Sequence, residues 1–115
     1  MAALNAGRLA DARRICERFL ETAPEHVEAR HQLALILARQ GELGLAVEQL
    51  RCALRRRPND AALVANLGEL YRRLGEYKAA VDCLAAATRG APDTAQAWFN
   101  LGLALREGGW PGEAD

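Results

Sequence analysis

Three prolines, Pro24, Pro58 and Pro92, stand 34 residues apart, and Gly7, Gly41, Gly75 and Gly109 keep the same step. So do Ala12, Ala46, Ala80 and Ala114. Several residue columns at one period in a chain of 115 residues define an internal repeat. A unit of this size is one supersecondary element. It cannot bury an apolar face alone, so it must stack on its neighbours.

The unit spanning residues 61–94 shows what is repeated. Leu63, Val64, Leu67, Leu70, Tyr71 and Leu74 recur at helical spacing. Gly75 ends that helix, because glycine accepts the left-handed conformation of a helix exit. Tyr77, Ala80, Val81, Leu84 and Ala87 then mark one face of a second helix. Pro92 closes the unit, since proline cannot continue a helix. Asp93 and Thr94, like Asn59 and Asp60 one unit earlier, are placed to accept the first free N–H groups of the next helix. The unit is helix, tight turn, helix, turn. The pattern predicts helices near 9–22, 27–40, 43–56, 61–74, 77–89 and 95–107.

Composition agrees. Half of the chain is hydrophobic, enough for a real core, while aromatic residues are only 5%. Ala, Leu, Arg and Glu dominate, and these are strong helix formers. Strand-favouring residues are scarce. The expected class is all-α: a solenoid of antiparallel helix pairs.

A 34-residue helix–turn–helix with these columns resembles the tetratricopeptide repeat. Trp98, Leu101 and Gly102 match the first-helix signature of that family, as do Leu67, Gly68 and Tyr71. Ala12, Ala46 and Ala80 match its second-helix alanine, and Pro24, Pro58 and Pro92 its terminal proline. Arg30 and Val64 stand where Trp is typical, Ala34 replaces Gly, and Leu37 and Leu105 replace Tyr. Cys16, Leu50 and Leu84 stand where Phe is typical. The resemblance covers the whole chain as one array: part of a repeat over 1–26, repeats over 27–60 and 61–94, and part of a repeat over 95–115. Gly68 and Gly102, with Ala46 and Ala80 opposite, are expected to let facing helices approach closely.

The resemblance implies a right-handed superhelix whose concave groove is lined by the first helix of each unit. It also implies a function: an interaction module or scaffold that holds an extended peptide or a partner protein there. The groove candidates are Gln32, Leu35 and Arg39, then Asn66, Glu69 and Arg73, then Phe99, Asn100, Leu103 and Arg106. Glu28, His31, Ala62, Ala65 and Gln96 share those faces. Gln32, Asn66 and Asn100 form one column. A side-chain amide offers both donor and acceptor, so a row of amides can satisfy the backbone of an extended peptide without reading its sequence. That row is similar to the asparagine ladder of the repeats in O-linked N-acetylglucosamine transferases. The alternative is that the amides pack neighbouring helices. Arg39, Arg72, Arg73 and Arg106 recur near first-helix ends, either as a basic edge selecting acidic ligands or as cations offsetting the helix dipole. A related subfamily grips C-terminal carboxylates with groove cations. Here those columns hold His31, Ala65 and Phe99 and no Lys, so chaperone tails are not the expected ligand.

Other functions find little support. Basic and acidic residues balance at 15 each, without the basic excess of a nucleic-acid binder. Cys16, Cys52 and Cys83 are scattered, so neither a metal site nor a cofactor is expected, and the thiols read as small helix residues. His26 and His31 are isolated from any nucleophile or base, so no intrinsic enzyme activity is expected. A second reading makes the array the substrate-recruiting part of a larger enzyme, such as a glycosyltransferase. No apolar run reaches the length of a membrane span and no leader is evident, which gives an expected cytoplasmic location. Both ends are expected to be open, because Trp98, Leu101 and Leu105 would face a helix that breaks off near Asp115. A longer array, or self-association through those ends, would cover them.

Overall fold

The structure is a computed structural model and describes residues 2–109. It contains six helices: α1 (Ala2–Thr22), α2 (Val27–Arg39), α3 (Leu43–Arg56), α4 (Ala61–Arg73), α5 (Tyr77–Gly90) and α6 (Ala95–Glu107). No strand occurs among the described residues. Five of the six helices fall within one or two residues of the boundaries read from the repeat. The first differs. It begins at Ala2 rather than near residue 9, and runs unbroken through Gly7. Gly7 sits in the turn column, but Ala2, Ala3, Leu4, Ala6, Leu9 and Ala10 surround it. One glycine inside such a run costs only ~1 kcal/mol of helix propensity, which these neighbours outweigh.

The other turn glycines behave as expected. Gly41 and Gly75 both have φ of 82° and Gly109 has 65°. At Gly75 the exit is tied by two backbone bonds, from Gly75 N–H to the Arg72 carbonyl at 3.0 Å and from Glu76 N–H to the Tyr71 carbonyl at 2.8 Å. Gly41 and Glu42 repeat the pair on Ala38 and Leu37. The helix end is thereby satisfied and the chain reversed within three residues. At the other end of each unit, Pro24, Pro58 and Pro92 each follow the helix end by two residues. The residue before proline is pushed out of the helical region. Arg57 and Ala91 accordingly have φ of −132° and −142°.

The caps divide. Asp60 accepts the Leu63 N–H at 3.1 Å. His26 does the same for Ala29 through Nδ1, also at 3.1 Å. Thr94 occupies the cap position of α6 but makes no side-chain cap bond. The expectation of a side-chain cap there is therefore corrected: the Thr94 N–H is taken by the Ala91 carbonyl, and its own carbonyl starts the helix.

The chain forms two compact units, Met1–Pro58 and Asn59–Asp115. In the first, α2 packs on both α1 and α3. Its core is built from Leu20, Leu33, Ala34, Leu37, Ala46, Val47, Leu50 and Ala53. In the second, α5 packs on both α4 and α6, and α6 also touches α4. Leu84, Ala80 and Ala104 sit at its centre, with Tyr71, Val81 and Leu101 packed around them.

Small residues set the closeness of the α4–α5 pair. A Cβ on Gly68 would stand 2.7 Å from Leu84 Cγ and 3.1 Å from Cys83 Cβ, so no side chain fits there. Gly102 does not share this role among the described residues: a Cβ there meets nothing within 4 Å. The helix expected to face it would begin beyond Gly109, outside the described residues. The turn expected over residues 108–112 and Ala114 of the alanine column lie there too, apart from Gly108 and Gly109.

Arg30 shows how a cation replaces the family's tryptophan. Its Nε donates to the Pro24 carbonyl at 3.1 Å. Trp98, two repeats on in the same column, donates Nε1–H to the Pro92 carbonyl at 2.8 Å. Both side chains staple the first helix to the preceding turn. Arg30 has a second fork, and Nη1 donates to Gln49 Oε1 at 2.7 Å across to α3.

Candidate functional site

Each unit contains a depression to which first-helix residues contribute. In the second unit it lies between α4 and α6, about 360 Å³ in volume. Asn66 and Glu69 line it from α4, Gln96 and Asn100 from α6, with Thr94 at the entry to α6. Its floor continues into a smaller notch of about 180 Å³ lined by Ala61, Ala62, Ala65, Ala87, Ala91, Thr94 and Ala97. Six of those seven are alanines, so the floor is apolar and smooth, while amides and a carboxylate stand on the α4 and α6 sides above it. Such a surface suits an extended chain: small floor residues let a backbone approach, and amides answer its N–H and C=O groups.

The helical period explains the grouping. Ala62, Ala65, Asn66 and Glu69 follow the i, i+3, i+4, i+7 spacing that puts them on one side of α4. On α6, Asn100 stands four residues after Gln96 and three after Ala97, which brings both beside it. The Gln96 side-chain amide donates to Asn100 Oδ1 at 3.0 Å. Asn100 is only 8% exposed, so it serves helix packing as well as lining the depression. Asn66 is half-buried.

Glu69 is held in place by Arg72. The guanidinium forks onto it, Nε to Oε1 at 2.9 Å and Nη2 to Oε2 at 2.7 Å. Its Nη1 reaches Glu107 at 2.8 Å. Arg72 therefore ties α4 to α6 along one edge of the depression, and the two carboxylates raise its pKa above the usual guanidinium value. This neutralises Arg72 as a member of a basic edge. Arg39, Arg73 and Arg106 are exposed at the ends of their helices.

In the first unit the depression lies between α1 and α2 and measures about 630 Å³. Gln32, Ile36 and Arg39 line it from α2; Arg8, Leu9 and Ala12 line it from α1. Two guanidinium side chains at the rim of an apolar lining of Leu9, Ala12 and Ile36 make it a more basic and more open hollow than the alanine notch.

Among the groove candidates, the structure brings Asn66, Glu69 and Asn100 to one depression and Gln32 and Arg39 to another. Leu35, Phe99, Leu103, Arg73 and Arg106 line neither. Phe99 is 63% exposed, Leu35 is exposed, and Leu103 is half-buried. Thr94 was singled out only as a cap, and its place in the wall follows from the side chain not capping α6. Ala61, Ala87, Ala91 and Ala97 were missed as floor residues, since alanines in a helix-rich chain give no site signal. Among the described residues, no three His, Cys, Asp or Glu side chains cluster to hold a metal. No described helix is long and apolar enough to cross a membrane.

A model of the tetratricopeptide repeat matches residues 1–61 and 65–114. The chain belongs to the tetratricopeptide repeat family. Its fold class is the all-α helical-repeat solenoid, and the family's general role is to bind proteins. Solved structures agree. A crystal structure of MamA is 26% identical, with a TM-score of 0.85 over 90% of this chain and 60% of that one. MamA residues 41–end from Desulfovibrio magneticus RS-1 are 27% identical, with a TM-score of 0.83 over 92% of this chain and 60% of that one. A Thermobaculum terrenum O-GlcNAc transferase, mutant K341M, is 33% identical, with a TM-score of 0.79 over 90% of this chain and 20% of that one. This chain thus spans a fifth to three fifths of the proteins it resembles.

Proposed function

We propose that this tetratricopeptide chain is a non-catalytic scaffold segment that holds an extended stretch of a partner protein along the α4–α6 depression. The observation that supports this reading most is the division of that surface. An apolar alanine floor runs beside polar side chains from both helices, Asn66 and Glu69 on α4 and Gln96 and Asn100 on α6. The floor accepts small or apolar side chains, and the wall pairs with the ligand backbone, so recognition depends weakly on sequence. Exposed Arg106 at the end of α6 favours an acidic residue at that flank of the ligand.

Peptide display tests the proposal. Extended peptides selected on the wild-type chain should lose binding to Ala62→Trp, which fills the floor from an exposed position, and to Asn66→Ala. Peptides that bind both variants as well as wild type would overturn it.

The likeness to an O-GlcNAc transferase, 33% identical over 90% of this chain, supports a second reading in which the scaffold recruits substrate for a larger enzyme. An immunoblot of the native cell extract separates the two. A band at the mass of this chain favours a stand-alone adaptor, and a much larger band favours the attached segment.

A further inference from the structure

We infer that His26 makes the junction between α1 and α2 sensitive to acid: its imidazole must be neutral to cap α2, whereas the cap one repeat later holds through the same pH range. The inference concerns the turn before α2 and is independent of what the depression between α4 and α6 binds.

The repeat supplies the comparison. His26, Asp60 and Thr94 stand 34 residues apart, each at the cap position of a first helix. Asp60 takes the Leu63 N–H with a carboxylate oxygen, His26 takes the Ala29 N–H with Nδ1, and both bonds measure 3.1 Å. A carboxylate stays ionised down to about pH 4 and accepts throughout. An imidazole loses its acceptor nitrogen when it takes up a proton, which happens between about pH 8 and pH 5. One capping position is thus filled once by an acceptor that persists in mild acid and once by an acceptor that does not.

The ring is held where the proton matters. Phe19 of α1 meets it edge to face, with centroids 5.0 Å apart and planes at 88°. The His26 N–H donates to the Ala23 carbonyl and the Arg30 N–H to the His26 carbonyl, each at 3.1 Å, which fixes the backbone on both sides. With ring and backbone so placed, a proton on Nδ1 faces the Ala29 N–H, donor against donor, at the positive end of the α2 dipole. Relief requires the ring to turn away. That gives up the Phe19 contact together with the cap, so the proton is felt on α1 as well. The neighbouring charges do not reverse this. Glu25 and Glu28 flank the ring and favour an imidazolium, but α3 sets a cation on each: Arg56 is 3.5 Å from Glu25 and Arg57 is 3.1 Å from Glu28. Arg30 of α2 is turned to the Pro24 carbonyl. From α1 come Phe19 and, one turn back, Cys16, whose thiol is kept protonated in this range by burial and by Glu17. The sign follows. The cap stabilises α2 fully where the imidazole is neutral, and its contribution is lost as pH falls.

Urea unfolding of the wild type and of His26→Asp at pH 7.5 and pH 5.0 tests this. The variant carries the kind of cap that Asp60 makes, and every other titrating group is shared, so the ratio of the two unfolding constants isolates position 26. From pH 7.5 to pH 5.0 the wild-type constant should rise about fivefold relative to the variant, the contribution of one N-cap. Amide exchange, corrected for its intrinsic pH dependence, locates the effect. Protection of the Ala29 N–H should fall on acidification in the wild type and persist in His26→Asp, while that of the Leu63 N–H stays constant in both. His31→Gln should keep the whole effect. A ratio of unfolding constants that does not move with pH would overturn the inference, as would a matching fall at Leu63 or a pH effect that disappears in His31→Gln.

Discussion

Leu84 lies directly over Gly68, with its Cγ 2.7 Å from where a Cβ on that glycine would stand. The contact is between helix-core atoms rather than a mobile side-chain tip, and Cys83 Cβ closes the other side at 3.1 Å. Gly68→Ala should therefore destabilise the second unit by ~1–3 kcal/mol through overpacking. Gly102→Ala, whose Cβ meets none of the described residues within 4 Å, should stabilise by up to ~1 kcal/mol, the helix-propensity gain over glycine. Urea unfolding at low protein concentration measures both. Equal midpoints for the two variants would contradict the packing account.

The two first-helix caps of the second unit give a paired test. Asp60 bonds the Leu63 N–H and Thr94 makes no cap bond. Asp60→Ala should cost ~1 kcal/mol. Thr94→Ala should leave the melting temperature nearly unchanged. A matching loss at both positions would mean that Thr94 caps α6 in solution.

Much of this architecture was legible because the features that made it are local. Gly41 and Gly75 announce a left-handed exit, and Pro58 and Pro92 forbid further helix, so boundaries followed within a residue or two. What could not be read depends on neighbours distant in sequence or on competing local choices. His26 caps through a ring nitrogen that no ordinary cap pattern signals. Gly7 matched a column and yet stayed helical, because its flanking alanines and leucines outweigh one glycine. Arg30 looked like a departure from the family until its bond to the Pro24 carbonyl showed it doing the work of Trp98. In the candidate site, the amide column was visible as a spacing, but the burial of Asn100 and the alanine floor needed the packing of α4 against α6.

Arg72 clips α4 to α6 through Glu69 and Glu107, and its side chain is only 18% exposed. Arg72→Lys keeps the charge and loses the fork, because an ammonium cannot bond both oxygens of Glu69 in one plane. The expected cost is about 1 kcal/mol at low ionic strength, shrinking as salt screens the network. Thermal melts of wild type and variant at two salt concentrations check this. A difference that is independent of salt would point to lost packing of the side-chain stem instead.

The Cys16 thiol is pushed up from its ordinary pKa, first by burial and then by the neighbouring Glu17 carboxylate. The thiolate is the reactive form. In a Cys52→Ser, Cys83→Ser chain, alkylation of Cys16 should therefore be slower than that of a free thiol at pH 8. Its rate should level off at a higher pH than that of a free thiol. A pH profile that overlays a free thiol would remove this account of the site.

The depression between α4 and α6 is the centre of the proposed function, and amide shift mapping tests it most directly. A peptide selected on the wild-type chain is titrated into labelled protein. The expected result is a set of shifts concentrated at Ala62, Ala65, Asn66, Gln96, Ala97 and Asn100, abolished in Ala62→Trp. Shifts confined to α1 or α3, or a pattern that Ala62→Trp leaves intact, would contradict the account.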